Sequence, residues 1–149
     1  MKRKVVKLWT TKSNHEAVIT LITPNTDILL PWFCGYVGLT SDHPLYEANS
    51  RVTVSFLKLS DINGQGIGKR GPIPFLFSPI KNGEEICPDT YFDVHGSITY
   101  SGVAIDNKWN QSLWWFGFDC GHAEDMDNPK NLNYVISECE SLSKQLAEV

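Results

Sequence analysis

The sequence predicts an α+β fold: a mainly antiparallel β-sheet with a C-terminal amphipathic helix packed on one face. Three observations predict it. Short runs rich in β-branched and aromatic residues, separated by turn residues, fill the first two-thirds of the chain. A stripe of apolar residues at spacings of three and four closes it. No repeat, linker or low-complexity tract divides residues 1–149, which therefore read as a single domain.

Residues 4–9 and 16–23 are β-branched runs joined by the polar turn Thr11 to His15. Pro24 to Asp27 ends the second run, and 32–39 forms a third, in which Gly35 and Gly38 allow close backbone approach. Over 52–59, Val52, Val54 and Phe56 alternate with Thr53 and Ser55, the pattern of a half-buried strand. Asp61 to Gly71 is a loop with four glycines, and Pro72, Pro74 and Pro79 argue against a helix over 72–80. Residues 91–100 read as another strand. The nearly unbroken apolar run within 112–120 reads as a central strand covered on both faces. Leu132, Val135, Ile136, Cys139, Leu142 and Leu146 form the helical stripe, capped by Asn131 or Asn133 behind Pro129.

The chain is 42% hydrophobic and 20% charged, as globular domains are, which excludes a disordered tail or a coiled coil. Its net charge of −4 disfavours nucleic acid as a partner, because phosphate binding needs a basic excess. The start Met1-Lys2-Arg3-Lys4 is basic like a signal peptide, but Lys7 breaks the apolar run that would follow. No stretch reaches the roughly 18 apolar residues of a membrane span. The four cysteines, Cys34, Cys87, Cys120 and Cys139, lie far apart and form no C-x-x-C pair. A zinc ribbon is thereby excluded, and reduced thiols in a cytoplasmic protein are expected.

Gly66-Ile67-Gly68-Lys69-Arg70-Gly71 matches a dinucleotide fingerprint in letters, but Pro72-Ile73-Pro74 follows where a helix should begin. The P-loop pattern fails as well, with Asn63 and Arg70 at two of its required positions. The expectation is a flexible loop whose Lys69 and Arg70 meet a phosphate only as a basic tip.

A richer cluster lies downstream. Asp93 and His95 share a face if 91–100 is a strand. The apolar run ends in Asp119-Cys120-Gly121-His122-Ala123-Glu124-Asp125. His95, Asp119, His122 and Asp125 supply acid–base groups on a rigid base, where an imidazole oriented by a carboxylate acts as general base. The same donors, His95, His122 and Asp119, suit a divalent metal such as zinc that activates a water. Cys120 beside His122 is a weaker candidate for a nucleophile. The plainer reading is that Asp119 and Asp125 cap turns and His95 is a core histidine. His43, in Ser41-Asp42-His43-Pro44, is either a third imidazole of the site or part of an exposed turn.

Gly35-Tyr36-Val37-Gly38 with His43-Pro44-Leu45-Tyr46, Asp93 to Tyr100, Trp114 to His122, Tyr134-Val135 and Glu138-Cys139 through Ala147 form an ordered set. It resembles an uncharacterised family of small proteins encoded by bacteriophages and prophages, over about residues 34–147. The resemblance implies a site built from His43, His95, His122, Asp119 and Asp125, in a protein working in the bacterial host cytoplasm. Two positions depart from the family pattern. Ser97 stands where the family usually has glycine, as does Glu124, which would be strained if that glycine makes a left-handed turn.

Three functions compete. The first is a small hydrolase acting on a nucleotide-like or other phosphorylated molecule through His95, Asp119, His122 and Asp125. The second is an anti-defence binding protein that sequesters a host signal or blocks a host protein. Trp32, Tyr36, Trp109 and Trp114 would offer stacking faces for a base, and Lys69 and Arg70 would meet phosphate. The third is a virion assembly protein, for which a homo-oligomer would be expected.

Overall fold

A computed structural model describes residues 1–62, 64–77 and 84–149. Five strands form the main sheet: β1 (Lys2–Thr10), β2 (Glu16–Thr23), β3 (Trp32–Leu39), β6 (Tyr100–Gly102) and β7 (Trp114–Asp119). Their order is β1-β2-β3-β7-β6, and every pairing is antiparallel. A small second sheet pairs β4 (Val54–Lys58) with β5 (Glu85–Ile86). Two short helices, α1 (Ile73–Phe77) and α2 (Pro88–Tyr91), precede the long C-terminal helix α3 (Leu132–Ala147). Among the described residues no helix is long and apolar enough to cross a membrane.

The period-2 alternation of the strands sorts the core into two clusters, one per sheet face. On one face Ile19, Val37, Phe116 and Phe118 meet Val135, Cys139, Leu142 and Leu146 of α3. This is the sheet-and-helix layer that the apolar stripe predicts. Asn131 caps α3 by accepting from the Tyr134 amide at 2.8 Å. On the other face Val18, Cys34, Tyr36 and Trp115 are covered by Trp109 and Leu113, from the connection between β6 and β7. Strand β7 is thus covered on both sides, with Trp115 and Phe116 fully buried.

Three expectations fail. First, residues 91–100 are not a strand. Pro88 begins α2, which ends at Phe92, and a turn follows in which the Ser97 amide bonds the Val94 carbonyl at 2.9 Å. Gly96 (φ 67°) and Ser97 (φ 68°) hold left-handed backbone that no strand accommodates. Glycine would hold position 97 without the cost of about 1–2 kcal/mol that a side chain incurs there. Second, α1 forms within 72–80 despite the prolines, because Pro74 sits in its first turn, where no amide donor is needed. Pro79 lies outside the described residues. Third, Val52 and Phe56 are exposed while Leu57 is buried. The alternation there does not report burial, because Leu57, on the opposite face from Phe56, is the residue that enters the core.

The C-terminal end of α3 is held by His43 and His15. The Leu45 amide donates to His43 Nδ1 at 3.0 Å, so Nε2 carries the proton and donates to the Leu146 carbonyl at 2.8 Å. His15 Nδ1 lies 2.7 Å from Ser143 Oγ, which also bonds Thr11 Oγ1. Burial, and secondarily the neighbouring His43 imidazole, lower the His15 pKa. Below about pH 6.5 the unfolded chain therefore takes up a proton that the folded chain resists, and stability falls as pH drops through that value. Thermal melts between about pH 5.5 and 7.5 are expected to show this slope in the native chain and a shallower one in His15→Gln. Equal slopes would show that His15 does not carry the linkage.

Candidate functional site

The left-handed turn at Gly96 and the segment 119–125 face each other across the N-terminal half of α3. His95 is fixed at both ring nitrogens. Nε2 is 3.0 Å from Asp125 Oδ2, and Nδ1 is 2.9 Å from the Tyr134 hydroxyl on α3. A neutral imidazole satisfies both contacts, donating from Nε2 to the carboxylate and accepting at Nδ1 from the phenol. Asp125 is only 1% exposed, and its Oδ2 also accepts from the His122 amide at 3.2 Å. The His95 amide donates to Glu138 Oε1 at 2.9 Å, and Glu138 Oε2 pairs with Lys69 Nζ at 2.7 Å.

His122 lies beside this network, its ring centroid 5.9 Å from that of His95. Its Nε2 makes no hydrogen bond and sits 3.7 Å from Asp119 Oδ1. Gly96 leaves the space the ring occupies, since a Cβ there would meet His122 Nε2. Asp119 accepts from the Gly121 amide at 2.9 Å and from Thr99 Oγ1 at 3.2 Å. Glu124 lies in a single 3₁₀ turn, Ala123–Asp125, without positive φ, so the strain expected of it does not arise.

The structure therefore brings together His95, His122, Asp119 and Asp125, and it leaves His43 at the other end of α3. Asp93 and His95 do not share a strand face. Asp93 Oδ1 accepts from the backbone amides of Lys69 (2.7 Å) and Arg70 (3.0 Å). The glycine-rich loop thus holds an internal carboxylate where a phosphate-binding loop would hold an anion. Its side chains are also committed. Lys69 pairs with Glu138, and Arg70, 2% exposed, donates to the carbonyls of Gly66, Ile67 and Tyr91. Neither is an open phosphate contact.

Among the described residues no three His, Cys, Asp or Glu side chains are placed to hold a metal ion. The expected His95–His122–Asp119 set fails because both His95 nitrogens are already engaged. Cys120 is buried, which pushes its thiol well above the ordinary range, the opposite of an activated nucleophile.

The second sheet face carries a cavity of about 390 Å³ lined by Arg3, Trp32, Tyr36, Thr99, Tyr100 and Asp119 among others. Arg3 Nη1 donates to the Tyr36 hydroxyl at 2.8 Å and to Thr20 Oγ1 at 3.3 Å. Burial pushes the nearby Cys34 thiol up to about 11, with the Asp119 carboxylate adding to it. Trp32 packs over Gly121, where a Cβ would come within 2.6 Å of the indole. Trp109 is not a ligand face. It is buried against Tyr36 and Trp115, at centroid distances of 4.6 and 5.2 Å. Trp114 faces the opposite side of β7, its Nε1 bonding the Ala48 carbonyl.

Arg3, Thr99, Tyr100, Tyr134 and Glu138 escape sequence reasoning as site residues. Tyr134 and Glu138 are one helical turn apart but outside the apolar stripe of α3, and Arg3 is hidden within a basic run. No family model matches the chain, and no curated protein or solved structure matches it either.

Proposed function

We propose that the protein binds an anionic, ring-bearing small molecule, of the nucleotide kind, in the cavity beside Arg3. The observation that carries this reading is the meeting of a guanidinium, the aromatic side chains of Trp32 and Tyr100 and the Asp119 carboxylate in one cavity of about 390 Å³. That size lies within the range of small-molecule sites, at roughly 300–1,000 Å³. Arg3 suits a phosphate, an indole suits a base, and Asp119 suits an amino group. In the phage setting that the resemblance implies, capture without turnover would lower the level of a host defence signal.

Hydrolysis of the captured molecule is the second reading, favoured by His122, whose Nε2 lies 3.7 Å from the Asp119 carboxylate that lines the cavity. An imidazole there would take a proton from water, and Asp119 would stabilise the imidazolium.

Calorimetry with ATP, cyclic dinucleotides and ADP-ribose tests both readings. At least one compound is expected to bind, with Arg3→Ala weakening it about tenfold or more through loss of a charge-assisted contact. Chromatography of the recovered compound separates the readings. An intact compound means capture, and a cleaved one means hydrolysis that His122→Ala must abolish. The absence of heat with every compound would sink the proposal.

A further inference from the structure

β1 is an outer strand of the sheet, nine residues long, with no described strand on its outer side. Not one of its residues is buried, and Leu8 is 53% exposed. Such an edge presents a row of main-chain donors and acceptors open to another strand. Its charge is lopsided. The chain as a whole is −4, yet Lys2, Arg3, Lys4, Lys7 and Lys12 precede the first acidic residue, Glu16. Among the described residues none of Lys2, Lys4 and Lys7 forms an ion pair. Lys7 lies only over the Trp9 ring, at 5.4 Å.

We infer that the β1 edge receives an acidic, extended segment of a partner protein as an added strand. A second copy is a poor occupant, because pairing β1 with itself sets lysines against lysines. Nucleic acid is a poorer one, because it offers no ladder of amides and carbonyls and meets an acidic molecule everywhere else. A strand of alternating acidic and apolar residues satisfies both features. Its main chain pairs with β1, its carboxylates meet Lys2, Lys4 and Lys7, and its apolar residues find Leu8. The bulge between Val5 and Lys7 divides the edge into two short registers, Lys2–Val5 and Lys7–Thr10. The added strand is therefore expected to pair more firmly along one of them than along the full length.

The test uses the full chain and a synthetic peptide of alternating Glu and Val, about ten residues long. Amide hydrogen exchange is expected to slow within Lys2–Thr10 when the peptide is added. Binding by fluorescence anisotropy is expected to weaken about tenfold between roughly 50 and 300 mM salt, as screening shortens the reach of the lysines. The triple variant Lys2→Glu, Lys4→Glu, Lys7→Glu is expected to lose at least about tenfold in affinity. Single Lys4→Ala, which leaves the remaining charges in place, covers the case in which the triple variant does not fold. A peptide of the same sequence N-methylated at alternate residues keeps the charge and loses the donors, and it is expected not to bind. Equal binding of the methylated peptide, unchanged exchange in β1, or tighter protection of β1 by an RNA oligonucleotide would each overturn the inference.

Discussion

Gly96→Ala is expected to lower the unfolding temperature by roughly 6–12 °C, the equivalent of about 3 kcal/mol in a domain of this size. Two costs combine. The residue holds φ at 67°, where a side chain costs about 1–2 kcal/mol. The added Cβ would also meet His122 Nε2, and forcing a methyl group into filled space typically costs about 1–3 kcal/mol. Gly64→Ala separates the two terms. Its φ is 91°, and nothing lies within 4 Å of a Cβ built there. It should lose only the backbone term of about 1–2 kcal/mol, roughly 2–8 °C. Thermal melts of the two variants decide the matter. Equal losses would show that the His122 ring yields freely and that Gly96 serves only the turn.

Asp125→Ala should cost about as much for a different reason. The carboxylate is buried, and its Oδ2 accepts from both His95 Nε2 and the His122 amide. Removing it leaves two donors without an acceptor, each worth about 1–3 kcal/mol, for a total near 3 kcal/mol. Tyr134→Phe removes one donor to His95 Nδ1 and should cost about 1 kcal/mol. The His95 ring proton should appear as a slowly exchanging NMR signal in the native chain and vanish in Asp125→Ala. If Asp125→Ala melts like the native chain, the carboxylate is no structural clamp, and a catalytic role for His95 regains its force. If it melts early, His95–Asp125–Tyr134 is a brace that holds the 119–125 segment and so sets where Asp119 and His122 stand.

The difference between the two imidazoles follows from their partners. His95 has both nitrogens occupied and sits under α3. His122 has an unbonded Nε2 and a carboxylate at 3.7 Å. Residue types alone place both in one acid–base set. Only the tertiary hydrogen bonds of His95 to Tyr134 and Asp125, 39 and 30 residues away in the chain, separate a braced histidine from one whose Nε2 is buried without a partner.

How far the sequence could be read follows from how local each signal is. Strands β2 and β3 and helix α3 are legible because their apolar periodicity is continuous over eight residues or more. The 88–99 segment is not. Phe92 and Val94 are both buried and alternate as strand residues do, while the left-handed pair Gly96–Ser97 makes a turn. The glycine-rich loop misleads in the opposite sense, because its amides are turned inward to Asp93, 23 and 24 residues on.

By itself, the sequence determines a mainly antiparallel sheet with the C-terminal helix packed on one face, the clustering of acids and histidines after β7, and the basic first strand. These follow from period, composition and position along the chain, which are local properties. Tertiary structure alone decides that His95 is tied to Tyr134 and Asp125, that His43 caps the far end of α3, and that Arg3 meets Trp32, Tyr100 and Asp119 in one cavity. Each of these joins residues from separate elements. Burial and hydrogen-bond valence select them, and both depend on how the sheet and helix pack.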